Sequence, residues 1–533
     1  MWQQTYIPVA DNLALSALVA ALPIFTMLLL LAVFRKPSWI ASLAGAGAAL
    51  AVALFAYRMP PLMAVSAALY GAAYGLLPIG WIVYTAILLY RLTVDTGKFE
   101  IIKDSIASLT GDRRLQALLI AFAFGGFIEG AAGFGTPVAV AAAMLAGLGF
   151  EPFFAAAICL LANTSPVAFG SIGIPVKTLA VVTNLPLLPL SADVARICAP
   201  LALVVPAYMM LVMGGRKALA AVWPAALVAG VTFAGAQYYI ASTRGPDLAA
   251  ILSAILCLCA LALLLKVWKP SSAPASIPHR HTGGNVLLAW SPYLTLVVFV
   301  LLWGRPEVKA FLDRGTIVFA WPGLHNLVQR LPPVVPKPGP YAAMYTFNFF
   351  SAAGTSCLFA TIVSALILRA SPRIFMKSLR DTTKQLKLPL LAISSVVALA
   401  YLMNYSGATT TLALVVAGTG AMFPFFSPLL GWLGVFLTGS DTSANALFGP
   451  LQDITSVKLG LNQTLMAAAN SGGGVVGKMI SLQSIAVAAA ATGMKQSEEG
   501  RLFRFTLRHS VFMAILIGLL TLFYAYVKPN WVL

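Results

Sequence analysis

Charged residues are scarce in this chain of 533 residues: Asp, Glu, Lys and Arg make up 9% of it, against 60% hydrophobic residues. A soluble globular protein carries roughly 25% charged residues, so the composition excludes that class. Acids are scarcer still, with 16 Asp and Glu against 34 Lys and Arg. The composition indicates an all-α polytopic membrane protein, whose apolar helices of about 20 residues cross the bilayer.

Histidine and cysteine are also few, with four and five residues respectively. The cysteines fall in apolar segments without the CxxC spacing of a metal site, which favours ordinary buried thiols. The histidines lie in loops or at a helix end, so a coupled proton has to be carried by a carboxylate or by the substrate. No metal or cofactor is expected. Enzyme activity is not expected either, because the polar residues form no set of nucleophile, base and orienting group.

The formal net charge of +18 is distributed over the connections between apolar segments. A nucleic-acid-binding protein would instead concentrate Lys and Arg on one soluble face, so no nucleic-acid partner is expected. Basic connections of this kind face the cytoplasm and its anionic lipid surface. Charge counting therefore places two basic arms, near 98–114 and 369–387, on the cytoplasmic side, and the N-terminus outside.

Similar motifs in the two halves of the chain indicate an internal repeat. "NTSPVAFG" at 163–170 and "DTSANALFG" at 441–449 share Thr-Ser and Phe-Gly, and Gly133 and Gly407 follow the same order at nearly the same offset. Matched interruptions of apolar segments in two halves are typical of secondary transporters, where they mark the binding site. We therefore predict two homologous halves.

The interruptions also predict where the chain divides. Broken backbone at membrane depth is tolerated only where it is buried in protein or lines a cavity, so these segments are expected to mark the transport pathway. The predicted divisions are a first repeat at 1–217, with a hairpin at 115–148 and a broken helix at 152–175; a linking helix at 218–240; a second repeat at 241–490, with a hairpin at 388–425 and broken helices at 430–450 and 461–490; and a C-terminal transmembrane helix at 491–533.

Two acids lie inside interrupted apolar segments: Glu129, in "GGFIEGAAGFGTP" at 125–137, and Asp441. An acid at the centre of a transmembrane helix costs roughly 2.5–3.5 kcal/mol on insertion scales, so its retention suggests a use. Both are therefore candidates for carrying a coupled proton. The alternative is a structural carboxylate that accepts hydrogen bonds from glycine-rich turns.

Basic and small polar residues in the same segments are the candidates for binding an anion. Lys478 is the strongest, because neighbouring glycines leave backbone N–H groups free. Arg196 is expected to pair with Asp193, and Lys177 either attracts an anion or extends to the membrane interface. Further substrate contacts are predicted for Gly133, Gly135, Thr136, Asn163, Thr164, Ser165, Tyr405, Ser406, Thr442, Ser443, Asn445 and Asn470. The alternative role for each of them is capping or close packing.

Four motifs carry a resemblance to the bacterial lactate permease family: "GGFIEGAAGFGTPVAV", "ANTSPVAFGSIGIP", "GSDTSANALFGPLQ" and "AANSGGGVVGKMISLQSIAVA". The resemblance runs over nearly the whole chain. It implies a multi-pass carrier of the bacterial inner membrane that imports L-lactate, D-lactate and glycolate with protons. It also implies re-entrant hairpins and an elevator-like, inverted arrangement of the two halves, in which the basic arms would lie on opposite sides. Sodium coupling and an anion channel are the alternatives, and the preferred hydroxyacid and the oligomeric state are left open.

Overall fold

The structure, a computed structural model, describes residues 1–34, 36–133, 135–270, 281–332, 337–495 and 498–532. Phe134 of the glycine-rich motif and the basic segment 271–280, with His279, lie outside the described residues. Within the described ranges, ten helices are long and apolar enough to cross a membrane, or up to twelve if each bent pair counts as one span. The chain is therefore an all-α polytopic membrane protein, as predicted.

The described part of the first half of the chain forms eleven α-helices. They are α1 (Leu13–Ala32), α2 (Ser38–Ala51), α3 (Pro61–Tyr74), α4 (Trp81–Asp95), α5 (Lys98–Ala107), α6 (Arg113–Gln116), α7 (Gly125–Ala131), α8 (Thr136–Gly147), α9 (Pro152–Ala162), α10 (Gly170–Thr183) and α11 (Leu187–Thr243). A π-helical segment, Ala117–Phe124, joins α6 to α7. Helix α11 turns back at Gly214 and Gly215, so that Gly230 packs against the backbone of Leu203. The segment 218–240, predicted as a linking helix, forms most of the second arm of α11.

The described part of the second half forms another eleven. They are α12 (Ala249–Val267), α13 (Gly283–Trp303), α14 (Pro306–Leu312), α15 (Ala353–Ile367), α16 (Pro372–Ser406), α17 (Ala408–Val416), α18 (Phe423–Thr438), α19 (Asp441–Leu459), α20 (Gln463–Gly477), α21 (Leu482–Thr492) and α22 (Glu499–Leu522). Helix α22 continues as a π-helical segment to Val527, within the range predicted for the C-terminal transmembrane helix.

Short β-strands cover one face of the helical bundle, called the N-terminal face below. The strands are β1 (Trp2–Gln3), β2 (Ile317–Ala320), β3 (Val328–Arg330), β4 (Gly339–Pro340) and β5 (Met344–Phe347). Strand β3 pairs with β1 in parallel and with β4 antiparallel, while β2 pairs antiparallel with β5. Gln4 follows β1 and donates hydrogen bonds of 2.9 Å to the carbonyls of Asn404 and Tyr405. The start of the chain, the connection from α13 to α15 and the end of α16 therefore meet on this face.

The second predicted basic arm, 369–387, contacts the end of α4, just before the first arm begins, on the opposite side of the bundle, called the basic face below. Arg91, at the end of α4, donates a hydrogen bond of 2.6 Å to Gln385, and Lys377 forms an ion pair of 3.0 Å with Asp95. The first arm begins at Lys98, three residues after Asp95, so its start lies on the same face as the second arm, as charge counting predicts. The basic face is accordingly expected to face the cytoplasm.

Two helical hairpins penetrate the bundle from opposite faces. The first runs along α6 and α7, which ends at Ala131, and returns along α8, which begins at Thr136. Its two ends meet at the basic face, where Arg113 donates a hydrogen bond to the carbonyl of Gly149. The second runs along α18, turns at Gly439, which has φ +72°, and returns along α19. It begins after α17, which is tied to the N-terminal face by a hydrogen bond of 2.7 Å from Thr411 to the carbonyl of Tyr6. The first hairpin coincides with the prediction at 115–148.

The hairpin predicted at 388–425 does not form, and the second hairpin lies at 423–459 instead. Residues 388–406 complete α16, a single helix of 35 residues that contains no glycine and accommodates Pro389. Gly407, with φ +93°, ends this helix at the N-terminal face rather than inside the bundle. The segment 430–450, predicted as a broken helix, therefore contains the turn of the second hairpin.

Each hairpin leads into a broken helix. Helices α9 and α10 bend by 68° across their break, and α20 and α21 bend by 41°, at the positions predicted by 152–175 and 461–490. The first pair begins where α8 reaches the basic face, and the second begins where α19 reaches the N-terminal face. A hairpin followed by a broken helix therefore occurs twice along the chain, and the two pairs enter the bundle from opposite faces. An inverted relation of the two halves remains a prediction, which this order supports. The basic arms do not follow that relation, because they lie on one face rather than on opposite sides.

Glycines set the close approach of α18 and α20. A methyl group at Gly473 would overlap the backbone of Pro428, one at Gly431 would overlap that of Asn470, and one at Gly477 would overlap that of Trp432. Small residues allow such backbone contact between membrane helices. The second hairpin is thereby held directly against the second broken helix.

We expect Gly473→Ala to destabilise the protein by roughly 1–3 kcal/mol, the usual cost of forcing extra atoms into a packed interior. The measurement is the apparent Tm of the purified protein in detergent. Gly235→Ala is the matched control, because a methyl group there meets no atom of the described chain within 4 Å. Equal Tm values for the two variants would contradict the close packing of α18 against α20.

Candidate functional site

A cavity of about 240 Å³, called the central cavity, lies between two groups of elements. The second hairpin turn, α7 and the two broken helices form one side, and α1, α2 and α16 form the other. Its polar lining includes Glu129 in α7, Ser171 in α10, Lys478 after α20 and residues 438–443 at the second hairpin turn. Further polar lining residues are Ser38, Ser42, Gln385 and Gln483. The predicted contacts Thr442 and Ser443 belong to that turn. The volume is below the roughly 300–1,000 Å³ of pockets for drug-sized ligands, so the cavity suits a small molecule.

Three ionisable side chains are buried at the central cavity: Lys478 is 7% exposed, Glu129 4% and Asp441 3%. Lys478 donates a hydrogen bond to the carbonyl of Gly439 and interacts electrostatically with both carboxylates. Among the described residues, no ion pair within 4.0 Å joins Lys478 to either acid, and one oxygen of each acid, Oε2 of Glu129 and Oδ1 of Asp441, has no hydrogen-bond partner. The cluster therefore has spare capacity for a proton or a ligand.

Asp441 is oriented by its neighbours on α19 and α20. Ser471 donates a hydrogen bond of 2.6 Å to its Oδ2, and Asn445 donates one of 3.4 Å to the same atom. Gly474 leaves the space that Oδ1 occupies, since a methyl group at this position would overlap that oxygen. These contacts fix one oxygen of the carboxylate and leave the other available.

Glu129 lies against the break between α9 and α10. Gly170 makes room for it, because a methyl group there would come within 2.6 Å of Oε1. Gly133, with φ +59°, packs beside Ser171, whose hydroxyl donates a hydrogen bond of 2.9 Å to the carbonyl of Ala132. Asn163 lies beside Glu129, and within the described ranges neither polar atom of its amide has a partner by hydrogen-bond geometry. The first hairpin and the first broken helix therefore enclose the acid together.

The backbone at this break is strained. Ser171, Ile172 and Gly173 have φ values of +45°, +59° and +71°, a left-handed conformation that is rare for a β-branched residue such as Ile. Each such non-glycine residue costs of order 1–3 kcal/mol and persists only where the surroundings hold it, commonly at functional sites. The strained turn places Ser171 at the central cavity.

Helices α10 and α19 begin beside the central cavity and run parallel. Asn445 donates a hydrogen bond of 3.1 Å to the carbonyl of Pro175, and Gly449 packs against Leu179 further along both helices. The first turn of α19 is capped by Ser440, whose hydroxyl accepts from the N–H of Ser443 at 3.3 Å. Helix N-termini carry partial positive charge and free N–H groups, so their convergence favours an anion in this cavity.

A buried polar network lies behind Asp441 and includes two predicted contacts, Asn445 and Asn470. Asn470 donates a hydrogen bond of 2.9 Å to Asn445 and accepts one of 3.1 Å from Gln452. Gln452 also accepts from the hydroxyl of Ser427 at 2.7 Å and donates to its carbonyl at 2.8 Å. The network joins α18, α19 and α20, one layer behind the residues that line the cavity.

Other predicted contacts lie in the turns beside the cavity. Gly135, with φ +83°, and Thr136 form the start of α8. Thr164 uses its hydroxyl to bond the carbonyl of Leu161 at 2.8 Å, as expected of a capping residue. The buried hydroxyl of Ser165 has no partner in the part of the chain that the structure describes. These residues shape the first hairpin turn and the first break.

Tyr405 and Ser406 do not lie at the central cavity, which corrects their grouping with the other predicted contacts. Both end α16 at the N-terminal face, where Tyr405 donates a hydrogen bond of 2.7 Å to the carbonyl of Ala342 and Ser406 donates one of 3.2 Å to that of Met403. Tyr405 lines a different, larger cavity. The grouping rested on matching Gly133 with Gly407, but only Gly133 lies in a hairpin turn within the bundle.

Outside the central cavity, the two further cations considered from the sequence are both paired. Arg196 forms an ion pair with Asp193, which confirms the predicted local pairing. Lys177 forms an ion pair with Asp247, a partner that the sequence did not suggest. Among the described residues that line the central cavity, Lys478 is the one with a basic side chain.

Sequence reasoning missed the residues at the cavity that carry no charge. Those that line it are Ser38, Ser42, Gly170, Ser171, Gln385, Thr438, Gly439, Ser440 and Gln483. Ser471, also missed, does not line the cavity but donates a hydrogen bond to Asp441. One signal for them was present: "ANTSP" at 162–166 and "ANSGG" at 469–473 are similar, and both lie in broken helices. Matching these two motifs would have pointed to Ser471 and to the second break.

Known proteins resemble this chain over almost its full length. The sequence model of a family described as L-lactate permease matches residues 16–528. The chain belongs to the L-lactate permease family. Members of this family are transporters rather than enzymes, so the chain is a multi-pass membrane transporter.

Individual relatives are similarly close. The chain is 46% identical to the L-lactate permease of Bacillus subtilis, over 98% of each protein. It is 46% identical to the glycolate permease GlcA of Escherichia coli and 44% identical to the L-lactate permease of that organism, in both cases over 99% of this chain and 98% of the relative. Two solved structures align at 14% identity: the YdaH transporter of Alcanivorax borkumensis has a TM-score of 0.46 and covers 86% of this chain and 88% of its own, and MtrF of Neisseria gonorrhoeae has a TM-score of 0.43 and covers 86% and 84%.

We expect Gln452→Leu to destabilise the second hairpin, because Ser427 and Asn470 would lose partners in a buried network. Each orphaned buried group costs about 1–3 kcal/mol. The measurement is again the apparent Tm in detergent, with Gln463→Leu as the control, since Gln463 makes its bond to Asp453 at an exposed position. A Tm equal to that of the control would show that the network does not stabilise the second hairpin.

Proposed function

We propose that the protein is a secondary active transporter that imports L-lactate and the related 2-hydroxymonocarboxylates D-lactate and glycolate by proton symport across the bacterial inner membrane. The names of the relatives, lactate permeases and a glycolate permease, support the substrate class. The observation that carries the proposal is the placement of Lys478 near two buried acids with available oxygens, at a small cavity beside two helix N-termini.

The substrate carboxylate binds between Lys478 and the first turn of α19. An ammonium group and free N–H groups are both donors suited to a carboxylate. The hydroxyls of Ser171, Thr442 and Ser443, which line the same cavity, are available to the 2-hydroxyl group. Asn163, with its available amide, reinforces the polar wall beside Glu129.

Charge balance links this binding to a proton. With Lys478 protonated and both acids ionised, the cluster carries one excess negative charge, and a bound lactate anion adds another. A proton taken up by Glu129 restores the charge of the empty carrier. Moving one uncompensated charge through a potential of 100 mV costs about 2.3 kcal/mol, so proton uptake favours movement of the loaded state. Glu129, whose Oε2 is available, is the first candidate, and Asp441 is the second.

The chain divides, on this proposal, into inverted repeats at 1–217 and 241–490, separated by the arm at 218–240 and followed by the helix at 491–533. Twice along the chain, a hairpin and the broken helix after it approach the central cavity, each time from a different face, which supports this division. In an elevator-like cycle these elements move together and carry the central cavity past the other helices. The oligomeric state does not affect the proposal.

Proton-driven uptake is tested in proteoliposomes with labelled L-lactate. We expect the wild-type protein to accumulate lactate in response to a pH gradient without sodium, and Glu129→Gln to lose this accumulation while keeping lactate counterflow, because Gln resembles the protonated acid. Glu151→Gln, at an exposed acid at the start of α9, is the control. Accumulation by Glu129→Gln under a pH gradient would rule out Glu129 as the proton carrier.

The same assay separates the alternatives. A requirement for sodium would indicate a sodium-coupled carrier, and flux that neither saturates nor accumulates substrate would indicate an anion channel. Competition by D-lactate, glycolate, pyruvate and acetate at two pH values ranks the substrates. The preferred one is expected to carry a 2-hydroxyl group.

Removal of the Lys478 charge is expected to weaken substrate binding. Lys478→Gln should raise the KM of lactate counterflow at least about tenfold, which corresponds to roughly 1.4 kcal/mol of binding free energy. Lys458→Gln removes the same charge from an exposed position near the end of α19 and is the matched control. An unchanged KM in Lys478→Gln would exclude the lysine as the carboxylate ligand.

A further inference from the structure

A second cavity of about 950 Å³, called the outer cavity, opens at the N-terminal face. The ends of α10, α16 and α19 form its floor, and the β-structured connection between α13 and α15 contributes its wall. Arg330, Asn404, Tyr341 and Tyr405 are among its lining residues. Helices α10 and α19 begin at the central cavity and end at the outer one, so the same helix pair lies between the two cavities.

Aromatic rings hold Arg330 in place at the outer cavity. Its guanidinium carbon lies 4.6 Å from the centre of the Tyr341 ring, and that ring stacks on Tyr405 at 4.2 Å with an angle of 17° between their planes. Pairing of strands β3 and β4 at Arg330 and Gly339 fixes the backbone. A guanidinium on an aromatic face is stabilised and oriented without losing its hydrogen-bond donors.

Within the described ranges, Arg330 has no acid partner closer than 4.0 Å, and its buried Nε makes no hydrogen bond. Asp453 also lines the outer cavity and interacts with Arg330 at longer range, and it accepts a hydrogen bond of 2.8 Å from Gln463. Lys309 also lines the cavity and adds positive charge. The guanidinium therefore retains donors for an anionic ligand.

Asn404 provides an unused acceptor in the same cavity. Its side chain is buried, with 8% of the residue exposed, and its Oδ1 has no hydrogen-bond partner among the residues that the structure describes. Its backbone carbonyl is already occupied by Gln4, so the side-chain oxygen is the group left for a ligand. An amide oxygen accepts a hydrogen bond from a hydroxyl group.

We propose that the outer cavity is a second binding site for small hydroxycarboxylates, in which Arg330 binds the carboxylate and Asn404 accepts a hydrogen bond from the hydroxyl group. A fixed cation in a recess raises the local concentration of anions and their rate of capture. The site receives the substrate at the N-terminal face before it reaches the central cavity. This role in uptake rests on the proposed function, whereas binding to the outer cavity does not.

Transport kinetics test the role of Arg330. In proteoliposomes of the full chain, Arg330→Gln is expected to raise the KM for L-lactate about tenfold, because a charge-assisted contact is lost. Arg314→Gln is the matched control, since it removes the same charge from an exposed position in the same connection, and its KM should remain that of the wild type. A lower Tm and a lower maximal rate at unchanged KM would overturn the proposal and assign Arg330 a structural role at the helix ends.

Equilibrium binding separates this site from the central one. Detergent-purified Lys478→Gln, with the central site disabled, should still bind labelled L-lactate, and adding Arg330→Gln should abolish that binding. Asn404→Leu in the same background should weaken the binding of L-lactate. It should leave the affinity for propionate, measured by competition, unchanged, because propionate lacks the hydroxyl group. If the wild type fails to transport lactate, the proposed function fails while this measurement still decides on the outer site. If Lys478→Gln shows no lactate binding that depends on Arg330, the proposal of a second site in the outer cavity is overturned.

Discussion

A buried lysine at membrane depth has to be compensated inside the protein, and the arrangement around Lys478 meets this requirement. An isolated charge in a low-dielectric interior is costly unless it is paired or hydrogen-bonded. Lys478 obtains a carbonyl from Gly439 on the second hairpin and the fields of Glu129 on the first and Asp441 on the second. Both hairpins and the second broken helix are therefore linked through one cation. Because no acid in the described chain is in direct contact with Lys478, the compensation leaves its environment open to an incoming anion.

The breaks that create the site impose a second requirement, since free backbone groups need partners where water is excluded. Side chains from neighbouring helices supply them. Gln237 donates a hydrogen bond of 2.9 Å to the carbonyl of Ser165, and Asn445 donates one to the carbonyl of Pro175. Glycines at Gly170 and Gly474 make room for the two acids beside the breaks. The polar residues of these motifs thus act as hydrogen-bond donors to the free backbone groups, and the glycines leave space for the buried acids.

The two cavities differ in how they are built. The central cavity is small, and the second hairpin turn and the starts of α10 and α19 form one side of it, so its positive character comes largely from Lys478 and backbone N–H groups. The outer cavity is larger and is formed by helix ends, which carry partial negative charge, together with aromatic rings and Arg330. A side-chain cation is therefore needed in the outer cavity for an anion to bind. The parallel helices α10 and α19 run from one cavity to the other, so the two environments lie at opposite ends of this helix pair.

The sequence by itself determined the membrane class and the identity of Glu129, Asp441 and Lys478 as unusual residues, while charge counting and the family resemblance disagreed about the basic arms. The membrane class and the unusual residues follow from a cost that is independent of the fold: charge is expensive in lipid. The first hairpin and both broken helices could also be predicted, because clusters of glycine and proline interrupt long apolar segments.

Only the tertiary structure decided which interruptions meet. Gly407 and Gly439 are both glycines with positive φ after an apolar helix, yet the first ends α16 beneath the N-terminal segment and the second turns a hairpin beside Lys478. Tyr405 consequently belongs to the outer cavity, whereas Ser171 and Ser471 belong to the central site. A glycine shows that the chain turns, but the depth of the turn depends on the length of the preceding helix and on its packing. Glu129 lies more than 300 residues before Asp441 and Lys478 in the chain, and no local pattern records the contacts that bring it to them.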